Sequence, residues 1–200
     1  MEWWWFVAVG VVVLAVWQWM KFRRFAQQEQ FVQIGRNHLF VFFKYLSSAE
    51  DFFSHKLNER VWHAPYLLGY SQGFLAILME TARLRLSTIE KGRFGQRVFQ
   101  KLVGLESGVV LDRIWKLHSK EDADFLRGMG HGADVSALIS GHAGANLLAD
   151  PKVQKALRDA PASMELTRGI VEEADLGQTG AAGMELAQTY MREHKLVAGY

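Results

Sequence analysis

The sequence predicts an all-α protein: one N-terminal transmembrane helix followed by a multi-helix cytoplasmic domain. Three observations lead there. Residues 3–20 carry no formal charge and are followed at once by Lys21, Arg23 and Arg24. The rest of the chain shows apolar residues at helical spacing between recognisable caps. No alternating apolar run is long enough to indicate a strand.

Residues 1–2 would form a short external N-terminus and 3–20 the anchor. Eighteen helical residues cover roughly 27 Å, close to the hydrocarbon thickness of a bilayer. Trp3, Trp4 and Trp5 mark one end of the run, and Trp17 and Trp19 the other. Indole rings favour the headgroup boundary, so tryptophans at both ends resemble two interfacial belts. Val11, Val12 and Val13 are poor helix formers in water, but in lipid the backbone must satisfy its own hydrogen bonds. A cleaved signal peptide fits badly. Its positive charge should precede the apolar core, where Glu2 stands, and no small-residue cleavage site follows. Lys21, Arg23, Arg24, Arg36 and Lys44 lie after the span, which places the N-terminus outside and the C-terminal domain in the cytoplasm. The absence of cysteine excludes a disulfide framework.

Residues 21–46 read as a basic juxtamembrane stalk helix continuing the anchor, and 47–200 as an all-helical soluble domain. Half the chain is apolar, enough for a real core. The net charge of +2 hides an asymmetry: sixteen Lys and Arg face eight Asp and Glu over 21–120, and seven face twelve over 121–200. The basic half adjoins the anchor, where anionic headgroups attract cations.

The elements then follow in order. Ser47 or Ser48 caps a helix with Glu50 and Asp51 in its first turn. Pro65 suits a first helical position and opens a helix over 65–86. Ser87 with Glu90 forms a capping box, and Ser119 with Asp122 a weaker version. Val109, Val110, Ile114, Trp115 and Leu117 mark a helix over 106–118. A glycine turn at 128–132 precedes a helix over 133–148. Asp150-Pro151 starts a short helix, and helices over 163–176 and 181–195 close the chain. An internal echo aligns YLLGYSQG at 66–73 with FLRGMGHG at 125–132, and VFQKL at 98–102 with VQKAL at 153–157. It suggests a weak duplication of 66–118 in 125–176.

Four constellations bear on function. Gly69-Tyr70-Ser71-Gln72-Gly73 matches the G-x-S-x-G nucleophile elbow, with Asp150 and His194 in the right order for a serine hydrolase. That chemistry needs a strand-to-helix turn, whereas Pro65 places Ser71 inside a helix. There Gly69 and Gly73 form a small-residue groove for a neighbouring helix. Gly128 and Gly132 repeat that spacing, and Gly141 marks a third small-residue face. The glycine turn could present N–H groups to a phosphate, but no strand precedes it and Asp134 would repel an anion. His131, Asp134 and His142 invite a metal or haem reading. Eleven residues on one helix separate the histidines by roughly 16 Å, too far for one ion. No catalytic group and no cofactor is therefore assigned. Arg93, Arg97 and Lys101 form a basic stripe that is either a solvated face or, with Lys21, Arg23 and Arg24, a membrane-facing one; nucleic acid ranks below both.

The functional expectation is a non-catalytic accessory, assembly or scaffolding subunit of a membrane-bound complex. Its partners would be membrane lipid and other subunits, because Trp3, Trp4, Trp5, Phe40, Phe42 and Phe43 exceed what one anchor and stalk can bury. A ligand-binding helical domain and a membrane-tethered hydrolase using Ser71 are the alternatives.

Overall fold

A computed structural model describes residues 3–44, 64–81, 86–104, 107–160 and 177–194, with the backbone alone for 3–11, 24, 27, 41–44, 88, 103, 107 and 177. Every element among them is helical: α1 (Trp3–Lys44), α2 (Pro65–Thr81), α3 (Thr88–Val103), α4 (Ser107–Ser119), α5 (Ala123–Ile139), α6 (Ala145–Leu148), α7 (Pro151–Asp159) and α8 (Gly177–Glu193). The all-α class is thus shown. Among the described residues no helix is long and apolar enough to cross a membrane. Half of the expected 3–20 span, residues 3–11 with Trp3, Trp4 and Trp5, has side chains outside the described part.

The caps explain most boundaries. Ser87 and Glu90 form a complete capping box at the start of α3. Asp122 is itself the cap of α5, accepting from Phe125 N–H at 2.9 Å; its carboxylate outcompetes the Ser119 hydroxyl, which bonds back to Lys116 O. Asp150 caps α7 through Lys152 N–H, with Pro151 at the first helical position. The expected helix that begins at Ser47 or Ser48 and the one over 163–176 lie outside the described residues.

The core is built on α2 and α5. Their four glycines face one another so closely that an added Cβ would sit 2.0 Å from Phe125 O at Gly69, 1.9 Å from Met129 O at Gly73, 2.0 Å from Tyr66 O at Gly128 and 2.0 Å from Tyr70 O at Gly132. Residue numbers rise together across the contact, so the helices run parallel. Each glycine meets the carbonyl three residues before its opposite number. The crossing therefore has local two-fold symmetry, and the two matching octapeptides are its two halves. With a Cα–Cβ bond of about 1.5 Å, each Cα lies no more than about 3.5 Å from an oxygen, where Cα–H groups donate weakly.

This contact corrects two expectations. The 128–132 segment is not a turn: α5 runs straight through it. Three glycines in five residues cost a helix roughly 3 kcal/mol against alanine, and backbone packing on α2 offsets this at Gly128 and Gly132. Gly141 is not a packing residue either. It has φ +68° and no atom within 4 Å of its Cβ position, and it ends α5. Gly141 N–H bonds to Leu138 O at 3.1 Å and His142 N–H to Ala137 O at 2.8 Å, the paired bonds of a Schellman closure. The expected helix over 133–148 is accordingly split into the end of α5 and the short α6.

Around this pair, the second half of α1 lies on α2 and α3, burying Val32, Gly35 and Leu39. Helix α8 lies on α5 and α7, and α4 fills the space beside α2, α3 and α5. Tyr70, Phe74, Phe99 and Phe125 are the largest fully buried side chains.

Candidate functional site

Two places in this framework gather chemically capable side chains. The first is the junction of α2, α5 and α8. The Tyr66 hydroxyl lies 2.7 Å from His131 Nδ1. The His131 ring stacks flat on Tyr190, with centroids 3.8 Å apart and planes at 5°. His194, just past the end of α8, stacks on Tyr66 at 4.0 Å. At the edge, Lys152 pairs with Glu193 at 2.6 Å, and the Tyr190 hydroxyl reaches Asp134 at 3.5 Å.

Electrostatics assign the protons. Burial, then the charge of His194, pushes the His131 pKa down to about 4. Burial, then Tyr190, raises that of Tyr66. Tyr66 therefore donates, His131 Nδ1 accepts, and the neutral imidazole keeps its hydrogen on Nε2. Burial also raises Asp134 and lowers His194. A general base should sit near the working pH; His131 lies well below it, and the surrounding rings hold α8 in place.

His38 makes a second contact of the same kind one to two turns further along α2. Its ring lies on Phe74 at 3.8 Å and 2°, and its Nε2 is 3.2 Å from the Tyr70 hydroxyl. The residue as a whole is half-buried, and burial of its imidazole pushes the pKa down to about 3.

The sequence candidates fall as follows. Ser71 is fully buried inside α2 and donates to Leu67 O at 2.9 Å; the G-x-S-x-G there is a helix face, with no strand-to-helix elbow. His131 and Asp134 share the ring cluster. His142 is exposed beyond α5, its Nδ1 2.7 Å from Ser140 O. Among the described residues no group of three His, Cys, Asp or Glu could hold a metal ion.

The second place is the contact of α1 with α3. Arg97 and Lys101 both form ion pairs with Glu29, and the Arg97 guanidinium lies 5.1 Å from the centre of the Phe25 ring. The hydrogen bond from Lys101 holds Glu29 below the usual carboxylate range against the opposing effect of burial, with the Arg97 charge adding to it. Two thirds of the basic stripe is thus spent clamping α3 to α1, while Arg93 is exposed. Lys21 Nζ lies 3.8 Å over Trp17 and Arg23 5.3 Å over Trp19; the Arg24 side chain lies outside the described residues. Glu29 is the residue the sequence reading passed over, although it is the single acid between residues 3 and 49.

No family model, no curated protein and no solved structure matches this chain.

Proposed function

We propose that this protein is a membrane-anchored, non-catalytic accessory or scaffolding subunit. Its α1 enters the bilayer with the N-terminus outside, and its helical domain presents surfaces to other subunits from the cytoplasmic side. The observation that carries the reading is the state of α1 before the core begins. Val12, Val13, Leu14, Trp17, Phe22 and Phe25 are all exposed. Residues 12, 13 and 14 point in three directions around a helix, so the apolar surface is continuous rather than one stripe. A helix apolar on every face calls for an apolar surround, and this one continues without interruption from the uncharged N-terminal run. The Trp17–Lys21 and Trp19–Arg23 pairs fit a headgroup boundary at that end. Burial of Ser71 inside α2 weighs against the hydrolase alternative, the packing of His131 against Tyr66 and Tyr190 against a ligand there, and the exposed apolar run beside the basic groups against nucleic acid.

The test is extraction. Full-length protein should stay in the membrane pellet under alkaline carbonate. In mild detergent it should co-purify with a reproducible set of chains that is lost when residues 1–24 are deleted. Release by carbonate sinks the anchor; isolation as a lone folded monomer sinks the subunit role.

A further inference from the structure

We infer that Lys21, Arg23, Arg97 and Lys101, set around Phe22 and Phe25, form a collar for the headgroups of anionic phospholipids. The inference rests on the membrane-anchored reading and adds which lipid the protein prefers and what holds it. Helix α1 is continuous from Trp3 to Lys44, so position along its axis fixes height above the apolar run. At 1.5 Å per residue, Phe25 stands about 8 Å and Glu29 about 14 Å beyond Met20. A bilayer's polar layer is roughly 5–8 Å deep on each side. Lys21, Phe22 and Arg23 thus lie within it, Phe25 at its outer edge, and Glu29 about 6 Å further out, a distance that the long Arg97 and Lys101 side chains can span.

Helix α3 meets α1 at this height. Arg97 reaches both the Phe25 ring and the Glu29 carboxylate, and Lys101 reaches the same carboxylate. Arg97 and Lys101 share one acid, Glu29, and Lys21 and Arg23 add two further cations lower on α1, over Trp17 and Trp19, leaving a clear positive excess. One carboxylate cannot occupy all five guanidinium N–H groups of Arg97 and the three of Lys101. The remaining donors suit phosphodiester oxygens, which a guanidinium can hold two at a time.

The aromatic residues decide the class of ligand. Phe22 is 72% exposed and Phe25 57% exposed, and both sit between the cations. Apolar rings interleaved with cations, directly continuous with an apolar helix, match the mixed chemistry of a headgroup layer. Nucleic acid would leave the Phe22 ring and the run before it in water. The excess positive charge selects anionic over zwitterionic lipid. Arg93 is left out because, among the described residues, no ion pair or hydrogen bond ties it to α1.

The experiment offers full-length protein, in micelles of neutral detergent, equimolar dioleoylphosphatidylglycerol and dioleoylphosphatidylcholine. Lipid retained after gel filtration is measured by mass spectrometry. Phosphatidylglycerol should be enriched about tenfold or more, since each juxtamembrane cation contributes several-fold. Lys21→Gln/Arg23→Gln should bring the ratio close to one, and Arg97→Gln/Lys101→Gln should lower it. Glu29→Gln removes the acid that pairs with Arg97 and Lys101 and should raise it, an increase that a folding defect does not produce. Equal retention of the two lipids by the unmodified protein, or a Glu29→Gln ratio no higher than its own, overturns the collar while leaving the anchor intact. Preferential retention of a single-stranded oligonucleotide added with the lipids also overturns it. Release from native membranes by carbonate is a different failure, that of the anchor itself.

Discussion

The crossing of α2 with α5 and the contact of α1 with α3 join helices in opposite ways. In the first, backbone meets backbone: at Gly69, Gly73, Gly128 and Gly132 a Cβ would fall 1.9–2.0 Å from a carbonyl oxygen. In the second, the ends of long side chains meet, Arg97 and Lys101 on Glu29. At Gly35 of α1 a Cβ would meet side-chain tips and no backbone: Leu75 at 2.8 Å, Leu78 at 3.4 Å and Val98 at 3.6 Å. A carbonyl in a helix cannot turn away, whereas a leucine tip or a lysine can. The crossing is therefore intolerant of one added carbon, and the seat of α1 is adjustable. Substitutions of one or two atoms should expose that difference.

The largest effect is expected at the crossing. Gly73→Ala or Gly132→Ala forces the helices apart and should cost about 3 kcal/mol, at the upper end of overpacking penalties. Gly35→Ala should cost about 1 kcal/mol, because Leu75 can shift rotamer. Denaturant unfolding in mild detergent measures both, and similar losses at the two sites would sink the contrast.

Acid should act next, through the two His–Tyr contacts flanking the crossing. His38 and His131 have folded pKa values near 3 and 4, below the unfolded value of about 6.5. Unfolding therefore takes up protons below pH 6.5. Stability should be full above that pH, fall as pH drops towards 4, and level off once the folded rings protonate as well. His38 shows the larger shift, and as a half-buried residue it should account for a loss on the order of 2 kcal/mol. His38→Gln keeps a partner for Tyr70 without titrating and should flatten the unfolding midpoint between pH 6.5 and 4. An unchanged slope would remove His38 as the source.

Smaller and opposite in sign is the expected effect of Gly130→Ala. Gly130 lies in α5 between the two contact glycines, but nothing stands within 4 Å of its Cβ position. Alanine there should stabilise by about 1 kcal/mol from helix propensity alone. Gly141→Ala, at φ +68°, should lose about 1 kcal/mol by straining the closure of α5. Thermal unfolding of both would separate a packing glycine from an idle one and from a terminating one.

The same glycines show what was legible in the sequence. The four-residue spacing of Gly69 with Gly73, and of Gly128 with Gly132, pointed to small-residue helix faces. The octapeptide echo joined the two pairs, although nothing in the sequence said that they meet each other. Local propensity misled at 128–132, where three glycines argue for a break and only the partner backbone makes a helix worthwhile. Caps at Ser87, Asp150 and Pro65 were readable because capping is local chemistry. His131 stood out as a titratable residue beside glycines. Its partners were a different matter: Tyr66 sits one turn before Gly69 on the contacting face and was within reach, whereas Tyr190 and His194 arrive on a helix whose placement no local pattern encodes.

The smallest expected change tests the side-chain end of the comparison. Glu29 holds two cations, yet its side chain is about one third exposed. Partly exposed ion pairs are worth less than about 1 kcal/mol each, because water competes and salt screens. Glu29→Gln removes both pairs while keeping a side chain of the same length. The guanidinium of Arg97 retains its place over Phe25, and Val32, Gly35 and Leu39 remain buried. Stability should therefore fall by less than about 1 kcal/mol at low salt and by still less at high salt. A loss approaching that of Gly73→Ala would mean that the ions, and not the apolar face of α1, seat this helix, and the contrast between the two junctions would not stand.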